Sequence, residues 1–152
     1  MLYYSHSGNT RVLAERIHEQ VGGALVELQT VNPYPPEYDT MAEILEKMVA
    51  ADAIVIATPV YFYMMAAQMK TLIDRTCSRY QEISNKDFYF IMTAAETDKD
   101  LLQRTLEAFR GFTACLNDPV EMRVIYDTGT WNIGEIKSTR AMGEAYEMGN
   151  NA

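Results

Sequence analysis

The chain has 152 residues, of which 48% are hydrophobic and 22% charged, and its net charge is −8. This length predicts one domain, residues 1–152, with a core large enough to need no disulfide or metal. The acidic balance argues against nucleic acid as a partner, because that partner requires clustered lysine and arginine, and the apolar stretches are too short to span a membrane.

The two cysteines, Cys77 and Cys115, have neither a metal-binding nor a CxxC redox spacing. We expect two free, mostly buried thiols in a reducing compartment. The sequence also opens without a basic and then apolar leader. Together these features predict a cytoplasmic protein.

Apolar strands and amphipathic helices alternate along the chain. Five apolar segments predict strands: Leu2–Ser5, Ala24–Gln29, Ala53–Ala57, Phe88–Met92 and Met122–Tyr126. Apolar residues at helical spacing predict a helix after each strand. The first is Arg11–Val21, the second starts at the capping box Thr40–Glu43, and the third carries Met65 and Thr76 on one side.

This repeated order predicts an α/β fold, a three-layer sandwich in which helices cover both faces of a five-stranded parallel sheet. Ligands of such folds bind beyond the carboxyl ends of the strands. We therefore expect function in the four loops that follow strands 1, 3, 4 and 5. These loops are Ser5–Thr10, Thr58–Tyr63, Thr93–Thr97 and Asp127–Lys137.

The first loop, Ser5-His6-Ser7-Gly8-Asn9-Thr10, runs directly from a strand into a helix. Free N–H groups at a helix start bind anions, and Gly8 lets the backbone approach a ligand. Hydroxyl and amide side chains add neutral hydrogen bonds, so the loop is predicted to bind a phosphate without a salt bridge. An ordinary capped helix start is the alternative. His6 lies mid-loop, either facing solvent or near the ligand.

In this position the loop resembles the flavodoxin phosphate loop, [ST]-x-[ST]-G-N-T. The resemblance implies a flavodoxin-like fold with strand order 2-1-3-4-5. It also implies that residues 5–10 wrap the phosphate of FMN.

The second loop places three aromatic residues, Tyr61, Phe62 and Tyr63, at the same edge. We expect Pro59 to end the strand. The aromatic side chains either form a wall for a planar conjugated ring or pack under the next helix.

The stretch Asp39–Thr76 resembles the NAD(P)H-dependent FMN reductase and iron–sulfur flavoprotein branch, through Thr58-Pro59-Val60-Tyr61-Phe62 and Gln68-Met69-Lys70-x-x-Ile73-Asp74-Arg75. The resemblance implies that Pro59, Val60, Tyr61 and Phe62 line the flavin ring. We expect Asp74 and Arg75 to form a structural pair. Relatives carry a cysteine-rich segment where this chain has only Val31–Asp39, so an iron–sulfur cluster has no ligands, and no metal site is predicted.

Two further loops complete the candidate site. Thr93, Ala94, Ala95 and Glu96 are predicted to lie against the edge of the ring, although Glu96 is alternatively a solvated charge. Trp131, the only tryptophan, is predicted to be a lid over the flavin, a subunit contact or a purely structural residue.

We interpret the sequence as an FMN-dependent oxidoreductase that passes reducing equivalents from NAD(P)H to a small acceptor such as a quinone or a flavin. No catalytic side chain is required, because the flavin carries the chemistry. A flavodoxin-type electron carrier serving a protein partner is the alternative, and a domain that has lost flavin binding is a third. The branch resemblance and the edge aromatics predict a homodimer.

Overall fold

The computed structural model describes residues 1–5, 8–28 and 39–150, with the backbone alone for residues 39–41. The strands are β1 (Leu2–Tyr3), β2 (Val26–Glu27), β3 (Ala53–Tyr61), β4 (Met64–Met65), β5 (Asp87–Ala94) and β6 (Val120–Thr128). The α-helices are α1 (Asn9–Val21), α2 (Asp39–Ala50), α3 (Ala67–Arg75), α4 (Gln103–Thr113) and α5 (Arg140–Asn150). Short 3-10 helices cover Thr76–Ser78, Tyr80–Glu82, Lys99–Leu102 and Glu135–Ser138.

Five of the strands form a parallel sheet in the order β2-β1-β3-β5-β6. This is the order 2-1-3-4-5 expected for the five strands, so the flavodoxin-like fold is confirmed. The sixth strand, β4, pairs antiparallel with the end of β3, with Val60 opposite Met65. It adds a hairpin to the carboxyl edge of the sheet that the sequence did not predict.

Apolar residues fill both faces of the sheet. Alternate residues of β3 and β5 pack against α3 and α4 on one face, where the ring of Phe90 stacks on Phe109 with centroids 5.1 Å apart. The other residues pack against α1 and α5, as Ala57 and Ile91 do. Because both faces are covered, six consecutive residues of β3 are buried, which explains the unbroken apolar run in the sequence.

Strand β3 continues through Tyr61, so the prediction that Pro59 ends it is wrong. Ala57 O accepts a hydrogen bond from Tyr4 N, which shows that Ala57 faces β1. Pro59 lies two residues further on and faces the same side, but β1 has already ended at Tyr3. The missing N–H of Pro59 therefore interrupts no ladder bond, and a proline is tolerated there.

Other element bounds also differ from expectation. Strands β1 and β2 contain two residues each, and Met65 lies in β4 because the hairpin takes it out of α3. The connection at residues 29–38 and the side chain of Thr40 lie outside the described residues, and so does its capping box.

Two smaller predictions can be checked in the described residues. Cys77 and Cys115 are free as expected, but both are exposed rather than buried, since they lie just beyond the ends of α3 and α4. Asp74 pairs with Lys70, one helical turn away, instead of with its neighbour Arg75. Within the described ranges no helix is long and apolar enough to cross a membrane, and no cluster of three metal-binding side chains occurs.

Strand β1 lies inside the sheet, between the edge strand β2 and β3, but is very short. Leu2 and Tyr3 are the only residues it pairs with β2 on one side and with β3 on the other. Below it, at the amino edge of the sheet, Leu2 and Ile54 line a cavity of about 390 Å³. This cavity lies at the end of the sheet opposite the loops expected to carry function.

Candidate functional site

The predicted loops meet at the carboxyl edge of the sheet. Thr93, near the end of β5, pairs with Pro59 of β3 on one side and with Asp127 of β6 on the other. The first turn of α1 reaches the same edge, where Thr10 contacts Thr93. One edge therefore holds the first turn of α1, the β3–β4 hairpin and the loops that follow β5 and β6.

The helix α1 begins without a side-chain cap. Gly8 is the N-cap of this helix, adopts a left-handed backbone (φ 86°) and has no side-chain cap. Within the part of the chain that the structure describes, no heavy atom lies within 4 Å of the point where a Cβ of residue 8 would sit. The free N–H groups of the first helical turn are donors of the kind that bind anions, and we call this end of α1 the cradle. His6 and Ser7 lie outside the described residues.

The side chains of Asn9 and Thr10 bond within the protein. Asn9 Nδ2 donates to Asn132 O at 3.1 Å, and Gly134 N donates to Asn9 Oδ1 at 3.0 Å. Thr10 Oγ1 lies 2.8 Å from Thr93 Oγ1. The sequence assigned all three side chains to the ligand, but these contacts fasten the first loop to its neighbours. Their binding of a ligand stays a prediction, and the backbone N–H groups of Asn9 and Thr10 are further donors.

The β3–β4 hairpin turns sharply at Phe62 and Tyr63, whose φ angles of 49° and 63° are both left-handed. Such two-residue turns usually contain Asn-Gly, so two aromatic residues here are conformationally costly. Three contacts hold the turn: Ala66 N donates to Thr58 Oγ1 at 3.1 Å, Thr105 Oγ1 donates to Tyr63 O at 2.9 Å, and Arg104 lies 5.2 Å from the centre of the Tyr63 ring. A strained turn secured in this way is typical of functional sites.

The four residues predicted to line a flavin ring differ in their surroundings. Pro59 is buried, Val60 and Tyr61 are partly exposed, and Phe62 at the apex is 97% exposed. Partial burial raises the pKa of Tyr61, and the neighbouring Tyr4 adds to the effect. The Tyr61 phenol therefore stays protonated at neutral pH. Contact of these residues with a flavin stays a prediction.

The loops after β5 and β6 are joined through their backbones. Gly129 N donates to Glu96 O at 2.9 Å, and Thr130 N donates to Ala94 O at 3.1 Å. The Glu96 carboxylate accepts hydrogen bonds from Thr97 N at 2.8 Å and Asp98 N at 3.1 Å. Glu96 therefore shapes its own loop, and its interpretations as a contact of the ring edge and as a solvated charge both stay predictions. Ala95, between Ala94 and Glu96, is exposed at this edge.

Trp131, in the loop after β6, is 77% exposed. This exposure rules out a role in the core and leaves the lid and the subunit contact as interpretations. The carboxylate of Glu135 fixes the backbone at this point, because Glu135 Oε2 accepts hydrogen bonds from Trp131 N at 2.7 Å and Asn132 N at 2.8 Å.

Residues 4–117 match the family model described as NADPH-dependent FMN reductase. The chain belongs to this family. It is thus an FMN-dependent oxidoreductase with NAD(P)H as the electron donor. The match stops before β6, so the loop that carries Trp131 lies outside it.

Several solved structures share the fold of the chain. The Trp repressor binding protein from Bacillus subtilis is 21% identical, with a TM-score of 0.81 over 97% of this chain and 99% of that one. The flavodoxin, WrbA-like protein from Agrobacterium tumefaciens is 17% identical, with a TM-score of 0.73 over 99% and 93%. An NADPH-quinone reductase from P. pentosaceus is 12% identical, with a TM-score of 0.69 over 99% and 97%. These likenesses establish the fold. No curated protein sequence matches the chain.

The described residues fit the phosphate end of the FMN that this reductase family uses. Ser5 Oγ is buried and has no hydrogen-bond partner among the described residues, although a buried hydroxyl normally has one. It lies three residues before Gly8, where the described residues leave space around the backbone. An unpaired donor beside an open helix N-terminus is what a bound phosphate monoester would satisfy.

Sequence reasoning missed two acidic residues of this FMN reductase. Asp127, at the end of β6, is 1% exposed. Its Oδ2 accepts a hydrogen bond from Thr130 Oγ1 at 2.5 Å, whereas its Oδ1 has no partner among the described residues. Burial raises the pKa of Asp127, and the bond from Thr130 acts in the opposite direction. Glu135 follows the left-handed Gly134 at a helix start, and this Gly-Glu pair is the signal that could have revealed it.

Proposed function

We propose that this FMN reductase passes reducing equivalents from NAD(P)H to a small acceptor of the quinone or flavin class. The observation that carries the proposal is the assembly of the open cradle at Gly8, the aromatic hairpin and the Trp131 loop on one edge of the sheet. Bound FMN supplies the hydride chemistry, so the role of the protein is to bind, orient and shield the flavin.

Each part of this edge has a role in the proposal. The backbone of residues 8–10 and the hydroxyl of Ser5 bind the phosphate. Residues 59–62 contact one side of the ring, and residues 93–96 supply backbone groups at its edge. The loop with Trp131 controls entry to the remaining face. A small planar acceptor would use the same face as the nicotinamide, because the hairpin occupies the other.

Entry of the nicotinamide to the flavin ring depends on Trp131. A nicotinamide has to come within about 3–3.5 Å of the ring to transfer hydride, so one face must open. Trp131 is 77% exposed on a loop whose backbone is fixed by Glu135, and its indole ring is therefore the movable part. Trp131→Ala should change the rate at which NAD(P)H reduces the flavin without abolishing FMN binding.

The test is stopped-flow mixing of the FMN-loaded protein with NADH or NADPH, followed by addition of quinones and free flavins. We expect at least one nicotinamide to bleach the flavin absorbance within the first turnover, and an acceptor to restore it. Bleaching by dithionite alone, with both nicotinamides inert, would reject the proposal.

A flavodoxin-type electron carrier is the second candidate, and the apex of the hairpin favours it. Phe62 is 97% exposed and makes little contact with the rest of the chain, as suits a contact with a protein partner. The discriminating measurement is the same first-turnover experiment, because a carrier does not require an open ring face for hydride transfer.

We also propose a homodimer, in which the exposed side chains of Phe62, Trp131 and Ile133 contribute to the contact. Light scattering at increasing concentration tests it, since a particle that stays near the mass of one chain, 17.3 kDa, would contradict it. The two free thiols suit a reducing compartment, and a cytoplasmic location stays a prediction.

A further inference from the structure

We propose that Asn9 and Glu135 are positioning residues that link the phosphate cradle to Trp131, so that a phosphate at Gly8 restrains the loop controlling nicotinamide entry. The inference rests on the proposed function, because it assigns the cradle to phosphate and the loop to nicotinamide entry. It concerns two side chains whose bonds lie entirely within the protein.

The first contact is the side chain of Asn9, which is 2% exposed and directly follows Gly8. Its amide nitrogen donates to Asn132 O and its amide oxygen accepts from Gly134 N. Both ends of one rigid group are therefore bound to one short segment of the distant loop. A change in the orientation of the first turn of α1 moves this amide and both of its partners.

The second contact is the Glu135 carboxylate. One oxygen accepts from the backbone N–H groups of Trp131 and Asn132, and the other accepts from Asn132 Nδ2 at 2.6 Å. Charged acceptors make strong hydrogen bonds, so residues 131–135 form a closed unit. The pKa of Glu135 is lowered by these bonds, first of all by the one from the Asn132 side chain, and the carboxylate is ionised at neutral pH.

The two contacts form a continuous path. Asn9 contacts Asn132 and Gly134, Glu135 contacts Asn132 and Trp131, and the backbone N–H of Asn9 belongs to the helical turn that faces the cradle. A phosphate that fixes this turn therefore also restrains residues 131–135. Coupling between two sites is reciprocal, so loss of the contacts between Asn9 and this segment should also weaken the binding of phosphate.

Trp131 is the only tryptophan, so its fluorescence reports on the loop without any turnover. The experiment adds inorganic phosphate to the full chain freed of flavin and checked for folding by circular dichroism. Steady-state anisotropy of Trp131 is recorded in parallel with phosphate binding by calorimetry. We expect anisotropy to rise with phosphate, with a midpoint equal to the calorimetric Kd.

Two variants interrupt the path at different points. Asn9→Ala removes the hydrogen bonds to Asn132 and Gly134 and keeps the backbone donors. We expect phosphate affinity to fall by about fivefold, the lower end of typical coupling. Glu135→Gln removes one of the two oxygens of the carboxylate. In both variants the anisotropy response should be lost although phosphate still binds. Asp98→Asn is the matched control, since its carboxylate also accepts a backbone N–H, from Asp100 at 2.9 Å, but it does not contact the Trp131 loop.

A response retained in both variants, or absent from the wild-type protein that binds phosphate, would overturn the inference. A second measurement uses the FMN-loaded enzyme, in which both variants should raise the KM for NAD(P)H more than they lower kcat. FMN titration keeps the two proposals apart, because a protein that binds FMN and reacts with NAD(P)H without an anisotropy response retains its function and lacks the coupling.

Discussion

The hydroxyl groups of Thr10 and Thr93 lie 2.8 Å apart, both residues are buried, and they connect the first turn of α1 to the end of β5. One hydroxyl donates and the other accepts. The accepting hydroxyl keeps its own hydrogen for a further acceptor. The pair thus holds two loops of the site together and leaves one donor for a ligand oxygen.

We predict that Thr10→Val and Thr93→Val each lower the free energy of unfolding by about 1–3 kcal/mol, because each leaves a buried hydroxyl unpaired. The double variant should cost less than the sum of the two single changes, since it leaves no unpaired group. Urea denaturation of the three variants measures the difference. Additive losses would show that the two hydroxyl groups do not interact.

Gly8→Val should lower FMN affinity by about tenfold or more, because a side chain fills the cradle and each bond to a charged group is worth about 1.5–3 kcal/mol. Affinity for riboflavin, which lacks the phosphate, should change little. Fluorescence titration of both flavins gives the comparison.

Gly22→Val is the matched control for this prediction. Gly22 has a positive φ of 66° and open space around it, but it caps the opposite end of α1. The control should lose stability and keep its FMN affinity. An equal loss of FMN affinity in both variants would show that backbone strain is responsible and that the cradle is not.

Asp127→Asn should flatten the dependence of stability on pH. Burial raises the pKa of Asp127 in the folded protein, so folding favours its protonated form. Its contribution to stability is full below the pKa of the unfolded chain and is lost as pH rises through the folded value. The amide cannot ionise. The stability of the variant relative to the wild-type protein should therefore increase from acidic to neutral pH, by about 1.4 kcal/mol for each tenfold difference in proton affinity between the folded and unfolded states.

Glu121→Gln supplies the opposite case. The hydrogen bond from Arg110 lowers the pKa of Glu121, so its contribution is present above the unfolded pKa and is lost as pH falls through the folded one. Urea denaturation across this pH range should show the two variants diverging from the wild-type protein in opposite directions. Parallel curves for all three proteins would contradict the assignment of Asp127.

Phe62→Asn should raise the free energy of unfolding by about 0.5–1 kcal/mol, because asparagine adopts a left-handed backbone more readily than phenylalanine does. The phenylalanine side chain is 97% exposed, so its removal loses little packing. Asn85→Phe is the reverse exchange at another exposed left-handed position, with φ 54°, and should destabilise by a similar amount. Thermal unfolding of the pair tests whether the apex of the hairpin is strained.

The large features of this fold follow from sequence periodicity, whereas contacts between distant loops do not. The apolar run in β3 predicted a buried strand because both of its faces are covered. The hairpin at Phe62 was missed, since the usual Asn-Gly signal is absent and the turn depends on tertiary contacts from Arg104 and Thr105. The site loops were located by position, but the amide of Asn9 was assigned to the ligand because its partners lie 123 and 125 residues away along the chain.

Because β1 pairs only two residues with each of its neighbours, the two sides of the sheet should not unfold as one cooperative unit. Seven residue pairs join β3 to β5 and eight join β5 to β6, so that block should exchange its amide hydrogens only by global unfolding. Strands β1 and β2 can separate from the sheet on their own, at a much lower free energy of opening. Because residues 5–10, which follow β1, are proposed to bind the FMN phosphate, FMN at saturating concentration should stabilise the part of the sheet formed by β1 and β2. Proteases should therefore attack the flavin-free chain first near Leu28, and cofactor supply should set its lifetime.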